Sequence, residues 1–106
     1  MNFLRIYLGE SDHCGHEPAY KHIVKLCYDM EIKGVTVLKG IMGFGEKHHV
    51  HRVDFFTISE DLPIVIEVVD EKEKVKKLIE KIKKCNFDGL AVYWDVNTIR
   101  IKKEAL

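Results

Sequence analysis

Residues 34–52 read GVTVLKGIMGFGEKHHVHR, and the arrangement of the chain turns on them. The segment starts as a β-strand, with Val35, Val37 and Ile41 on one face and Thr36, Leu38 and Met42 on the other. Both faces are largely apolar, so the pattern predicts a central strand covered on both sides. Gly40, Gly43 and Gly45 follow. Glycine weakens a strand, so this density calls for a backbone reason, either positive φ or a close approach. A polar tip from Glu46 to Arg52 then carries three of the six histidines. A rigid strand that delivers a glycine-rich, cationic loop is a way of presenting a binding site.

Upstream, Phe3 to Leu8 alternates and reads as the first strand, with Leu4, Ile6 and Leu8 on one face. A polar loop, Gly9 to Glu17, leads to Pro18, which the first turn of a helix tolerates. Tyr20, Ile23, Val24, Cys27 and Met30 then recur at helical spacing, and Gly34 supplies a stop. Downstream, Val53 to Ile58 reads as a strand, SEDLP as a turn, and PIVIEVV (63–69) as a second central strand. Asp70 and Glu73 have the spacing of a capping box. Val75, Leu78, Ile79, Ile82 and Cys85 make the buried stripe of the second helix. Its seven lysines between Lys72 and Lys84, with Glu73–Lys77 and Glu80–Lys84 pairs, form a solvated outer face. Leu90 to Trp94 is the last core strand. Ile99 and Ile101, alternating with Arg100 and Lys102, give a short final strand or docked tail.

The predicted fold is α+β: a ferredoxin-like βαββαβ sandwich of one domain, residues 1–106. Two helices cover one face of an antiparallel sheet that also carries a short extra strand and the tail strand. The strands hold more large apolar residues than a single covered face accommodates. The other face is therefore expected to pack against further copies of the chain.

Composition narrows the function. The 106 residues are 46% hydrophobic and 32% charged, with seventeen basic and seventeen acidic side chains. A net charge of zero gives no general attraction to nucleic acid. The first residues, MNFLRIYLGES, hold no signal-peptide h-region, and no apolar run nears the ~20 residues of a membrane span. A soluble cytoplasmic protein is expected. Three unpatterned cysteines fit reduced thiols: Cys27 and Cys85 on buried helical stripes, Cys14 in a polar loop where it is the one open to reaction.

The chain resembles the PII signalling superfamily and, within it, the short branch known as domain-of-unknown-function family 190. The resemblance runs through RIYLGES (5–11), EPAY (17–20), GVTVLKGIMGFG (34–45) and SEDLPIVIEVVDEKEKV (59–75). GFG at 43–45 with the basic residues after it is similar to the start of the PII recognition loop. DGLAVYWDVNTIRIK (88–102) is similar to the PII carboxy terminus. The resemblance implies a non-enzymatic homotrimer. Clefts between its subunits would bind an adenine nucleotide and report occupancy to an enzyme, transporter or channel. Gly43, Phe44, Gly45 and Lys47 would line the cleft with Gly89, while Arg100 and Lys102 would aim cations at phosphate. Two departures stand out. No room exists between Val50 and Val53 for a long recognition loop, and Leu90 replaces the lysine of the PII phosphate loop. A monophosphate, a dinucleotide or no nucleotide are the open alternatives.

The second reading is a divalent-metal-binding trimer, resembling the cation-tolerance branch of the same superfamily. Imidazole and thiolate suit zinc, copper or nickel. Alternation puts His49 and His51 on one strand face, and His48, His13, His16 and Cys14 are the alternatives. Catalysis has less behind it, with no nucleophile elbow and no acid–base pair. Ser11, Asp12 and His13 read as a turn with local side-chain-to-backbone bonds. Tyr93 and Trp94 offer base-stacking rings, although alternation assigns at least one to the core or an interface.

Overall fold

The computed structural model describes residues 1–44, 51–52 and 61–104. In chain order the elements are β1 (Asn2–Gly9), β2 (His13–Cys14), β3 (Glu17–Pro18), α1 (Ala19–Asp29), β4 (Val35–Lys39), β5 (Met42–Gly43) and β6 (His51–Arg52). They continue as β7 (Pro63–Asp70), α2 (Lys72–Ile82) and β8 (Leu90–Asp95). The expected strand over Val53–Ile58 lies outside the described residues.

Alternation does what it predicts in β1 and β7. The two pair antiparallel over their full length, from Asn2 opposite Asp70 to Gly9 opposite Pro63. Leu4, Ile6 and Leu8 share a face with Ile64, Ile66 and Val68, and all six are buried. Helices α1 and α2 close that face with Ala19, Ile23 and Cys27 from one and Val75 and Leu78 from the other. The helix at α1 forms because its apolar residues return every three or four positions to this surface. The strand order β4-β7-β1-β8 makes two interleaved crossovers, β1-α1-β4 over β7 and β7-α2-β8 over β1. This antiparallel, two-helix sandwich is the ferredoxin-like α+β fold that the sequence predicts.

Five expectations are corrected. First, β4 is an edge strand among the described residues, paired to β7, although its apolar faces suggested a central one. It ends at Lys39, and Met42–Gly43 instead pairs with His51–Arg52. Second, Gly34 does not stop α1. The helix closes at Glu31, whose φ of 58° is left-handed. The Ile32 N–H donates to Cys27 O and the Glu31 N–H to Tyr28 O, the paired bonds of a Schellman close. Third, Asp70 caps no helix through a box with Glu73. Glu71 is the N-cap of α2 and makes no side-chain cap bond. The ion pairs of α2 also differ, forming three apart as Glu73–Lys76 and Glu80–Lys83. The tail beyond β8 belongs to no strand among the described residues, and Ile99 and Ile101 are 87% and 89% exposed.

Asp70 has a different task. Fully buried at the end of β7, its carboxylate accepts the Lys33 N–H at 2.9 Å and the Glu71 N–H at 2.7 Å. It thus ties the start of β4 to the start of α2. Burial pushes its pKa up, but the two N–H donors and the ammonium groups of Lys74 and Lys33 outweigh it, and the carboxyl titrates below its ordinary value.

Among the described residues no helix covers the sheet's second face. Register places Phe3, Arg5, Tyr7, Leu38, Val65 and Trp94 on it. Phe3 and Trp94 stack with ring centroids 4.7 Å apart, and the Arg5 guanidinium lies over both rings. Arg5 pairs with Glu67 across the strands at 2.7 Å, a bond that raises its pKa further. Leu38 and Trp94 remain 47% and 42% exposed.

Candidate functional site

Both glycine segments of interest lie at one end of the sheet. Tyr7 pairs with Leu90, Gly9 with Pro63, and Lys39 with Ile64, so β1 and β4 end where β7 and β8 begin. Gly40 is the glycine that this junction requires. A Cβ there would meet Pro63 Cγ at 2.7 Å, and the Gly40 N–H donates to Pro63 O at 2.7 Å. At Gly43 a Cβ would meet Pro63 Cγ at 3.5 Å, an ordinary contact. Close approach therefore explains the first glycine but not the second. Phe44, next in sequence, is exposed. Gly89 is crowded instead by its own loop, for a Cβ would stand 2.8 Å from Phe87 and 3.1 Å from the Tyr7 carbonyl.

The same register separates these segments laterally. Gly43 follows the β4 edge and Gly89 precedes β8 at the opposite edge, with β7 and β1 between them. At 4.7–4.9 Å per strand the edges are roughly 14 Å apart. The tail that carries Arg100 and Lys102 leaves the sheet at the other end, where the Val96 N–H donates to Met1 O. Both side chains are exposed. One chain thus does not bring Gly43, Gly89, Arg100 and Lys102 into one cleft. Gly45, Lys47, His48 and His49 lie outside the described residues, as does the side chain of His51.

Beside Gly89 an open, mainly apolar groove of about 280 Å³ runs between α2 and β8. Ile6, Ile79, Ile82, Phe87 and Leu90 line it, and Lys83 is its one cation among the described residues.

The polar loop after β1 is better ordered by local bonds than its composition suggests. Asp12 accepts the Gly9 N–H at 2.7 Å, and His13 Nδ1 sits 2.6 Å from the Ser11 carbonyl. Ser11, Asp12 and His13 thus form the expected turn. The cysteines depart from expectation. Helix α2 ends at Ile82, so Cys85 is not on its stripe but in the turn beyond. There it forms a disulfide with Cys14, across 71 positions of sequence. Cys27 is the buried core thiol expected, its pKa pushed up to about 11 by burial. The sulfur pair has His22 beside it, on α1. Sequence reading named Cys14 but neither Cys85 nor His22 as its neighbours, and His13 and His16 are not in this group. No short-range spacing signals a contact made by three separate elements.

Among the described residues no helix is long and apolar enough to cross a membrane. The family model that matches, over residues 1–98, is DUF190, described as "Uncharacterized ACR, COG1993". The chain is 32% identical over 96 residues to a UPF0166 protein of Aquifex aeolicus, covering 91% of this chain and 90% of that one. To a UPF0166 protein of Methanocaldococcus jannaschii it is 42% identical over 79 residues, 74% of this chain and 72% of the relative. Among solved structures, the nitrogen regulatory PII-like protein CPII of Thiomonas intermedia K12, bound to ADP, AMP and bicarbonate, superposes with a TM-score of 0.71. It is 20% identical, with 93% of this chain and 88% of that one covered. A Thermus thermophilus protein described as PII-like and signalling gives 0.60 at 15% identity, covering 90% and 84%. The fold is therefore PII-like, and the chain belongs to the DUF190 family.

Proposed function

We propose that the protein is a non-enzymatic, PII-like regulator of the cytoplasm. It acts as a homotrimer whose clefts between copies sense an adenine nucleotide and signal occupancy to an enzyme, transporter or channel. The observation that carries this reading is the placement of Gly43 and Gly89 at one end of the sheet on opposite edges. A copy docked edge to edge would bring one chain's Gly43 towards the groove beside another's Gly89 and Leu90. The groove suits an apolar base or ribose face, and glycine N–H groups suit a phosphate. A neighbour's tail would then supply Arg100, which can make two parallel bonds to a phosphate, and Lys102, which cannot.

With Leu90 in place of a cation, the site has less charge for a long phosphate chain, and AMP or ADP is favoured over ATP. That CPII is bound to ADP and AMP supports the choice. Calorimetry with AMP, ADP and ATP tests it. The parent protein should bind AMP or ADP, and Arg100→Ala should bind roughly 10- to 150-fold more weakly, the worth of one charge-assisted bond at about 1.5–3 kcal/mol. Absence of binding by the parent removes the nucleotide reading. Equal binding by Arg100→Ala removes the tail from the site.

A further inference from the structure

Cys14, His22 and Cys85 come from three elements, β2, α1 and the turn after α2, yet their ligand atoms all lie within 4.8 Å of one another. Each of the three residues is half-buried, so the group is neither sealed in the core nor loose in solvent. Helix α1 holds the imidazole, and the Glu17 carboxylate stands 3.3 Å from its Nδ1. The Cα atoms of the two cysteines are 5.2 Å apart. Two sulfurs and an imidazole are the donor set that zinc prefers, and tetrahedral zinc with bonds of ~2.0–2.3 Å needs its donors ~3.5–3.8 Å apart. That spacing falls inside the 4.8 Å that already encloses the three ligand atoms.

We infer that the reduced protein binds one zinc ion per chain through Cys14 Sγ, Cys85 Sγ and His22, with a fourth position open to water. Glu17 accepts the Nδ1 proton and leaves Nε2 for the metal, the carboxylate–imidazole pairing that orients zinc ligands. The two states exclude each other. A dithiol reductant breaks the S–S bond, giving two thiols while it is itself oxidised to a disulfide. Zinc then displaces one proton from each thiol as the two Zn–S bonds form. The site would thus clamp the β2–β3 hairpin to the turn after α2, in either a covalent or a metal-bound form. Its ligands are other residues than those of the nucleotide reading, although Cys85 also lines the groove beside Gly89.

Cobalt(II) serves as the spectroscopic probe. Reduced full-length protein, freed of reductant without air, should take one cobalt per chain. It should show thiolate-to-metal charge transfer and the visible bands of a tetrahedral ion, both displaced by zinc. Cys85→Ser should lose most of the charge-transfer absorption. Glu17→Gln should keep the bands but bind roughly 10- to 100-fold more weakly. Should Cys85→Ser fail to fold, mapping of iodoacetamide labelling on the parent gives the same answer, because zinc should protect Cys14 and Cys85. A parent protein without charge-transfer absorption overturns the site. So does a band unchanged by Cys85→Ser, or equal labelling of both thiols with and without zinc.

Discussion

The two faces of one four-stranded sheet behave differently. On the helix side Leu4, Ile6, Ile64, Ile66 and Val68 vanish under α1 and α2. On the other side Phe3, Tyr7, Leu38, Val65 and Trp94 make a second apolar surface, interrupted by the Arg5–Glu67 pair and covered by no helix among the described residues. Strand residues alternate between the faces, so selection for the core alone would leave the second face polar, as in most half-exposed antiparallel sheets. Its apolar character points to a use outside the protomer. One face accounts for folding; under the proposed function the other serves assembly.

The largest effect should come from the covered face. Ile66→Ala removes a fully buried branched side chain from the core, and denaturant unfolding should show a loss of about 2–5 kcal/mol. A loss below about 1 kcal/mol would mean that this face is not the core.

Asp70, at the rim of the same face, should matter less. Its depressed pKa gives a stability contribution that is fully present above its ordinary value near 3.8. The contribution is lost as pH falls through the lower folded value. Asp70→Asn should cost about 1–3 kcal/mol at neutral pH. It should also flatten the acid limb of a stability-against-pH curve, and an unchanged acid limb would show that Asp70 holds neither Lys33 nor Glu71 through its charge.

The smallest effect on the protomer belongs to the open face. Leu38→Asp should change its unfolding free energy by under about 1 kcal/mol, while sedimentation shows the assembly falling apart. If the mutant instead unfolds and stays assembled, the roles of the two faces are reversed.

Periodicity in the sequence was a good guide to β1, β7, α1 and α2, since each buries one regular stripe. It misplaced β4 for an instructive reason. Apolar residues on both faces of Val35–Lys39 report that both faces are to be covered, not that the same chain does the covering. Helix ends were harder, because Glu31 takes a left-handed conformation that glycine would usually mark, and Gly34 three residues on drew the prediction. Of the candidate site, the GFG and DGL segments were visible as motifs. That Gly43 and Gly89 sit at one end of the sheet but on opposite edges needed the register. The meeting of Cys14, His22 and Cys85 left no trace in local spacing at all.

Under the proposed function a lone chain is incomplete, its second face and its glycine edges being finished by further copies. Light scattering on micromolar protein tests this most directly. The expected particle has three times the 12.3 kDa chain mass. A particle of one chain mass, with the second face open to water, would contradict it.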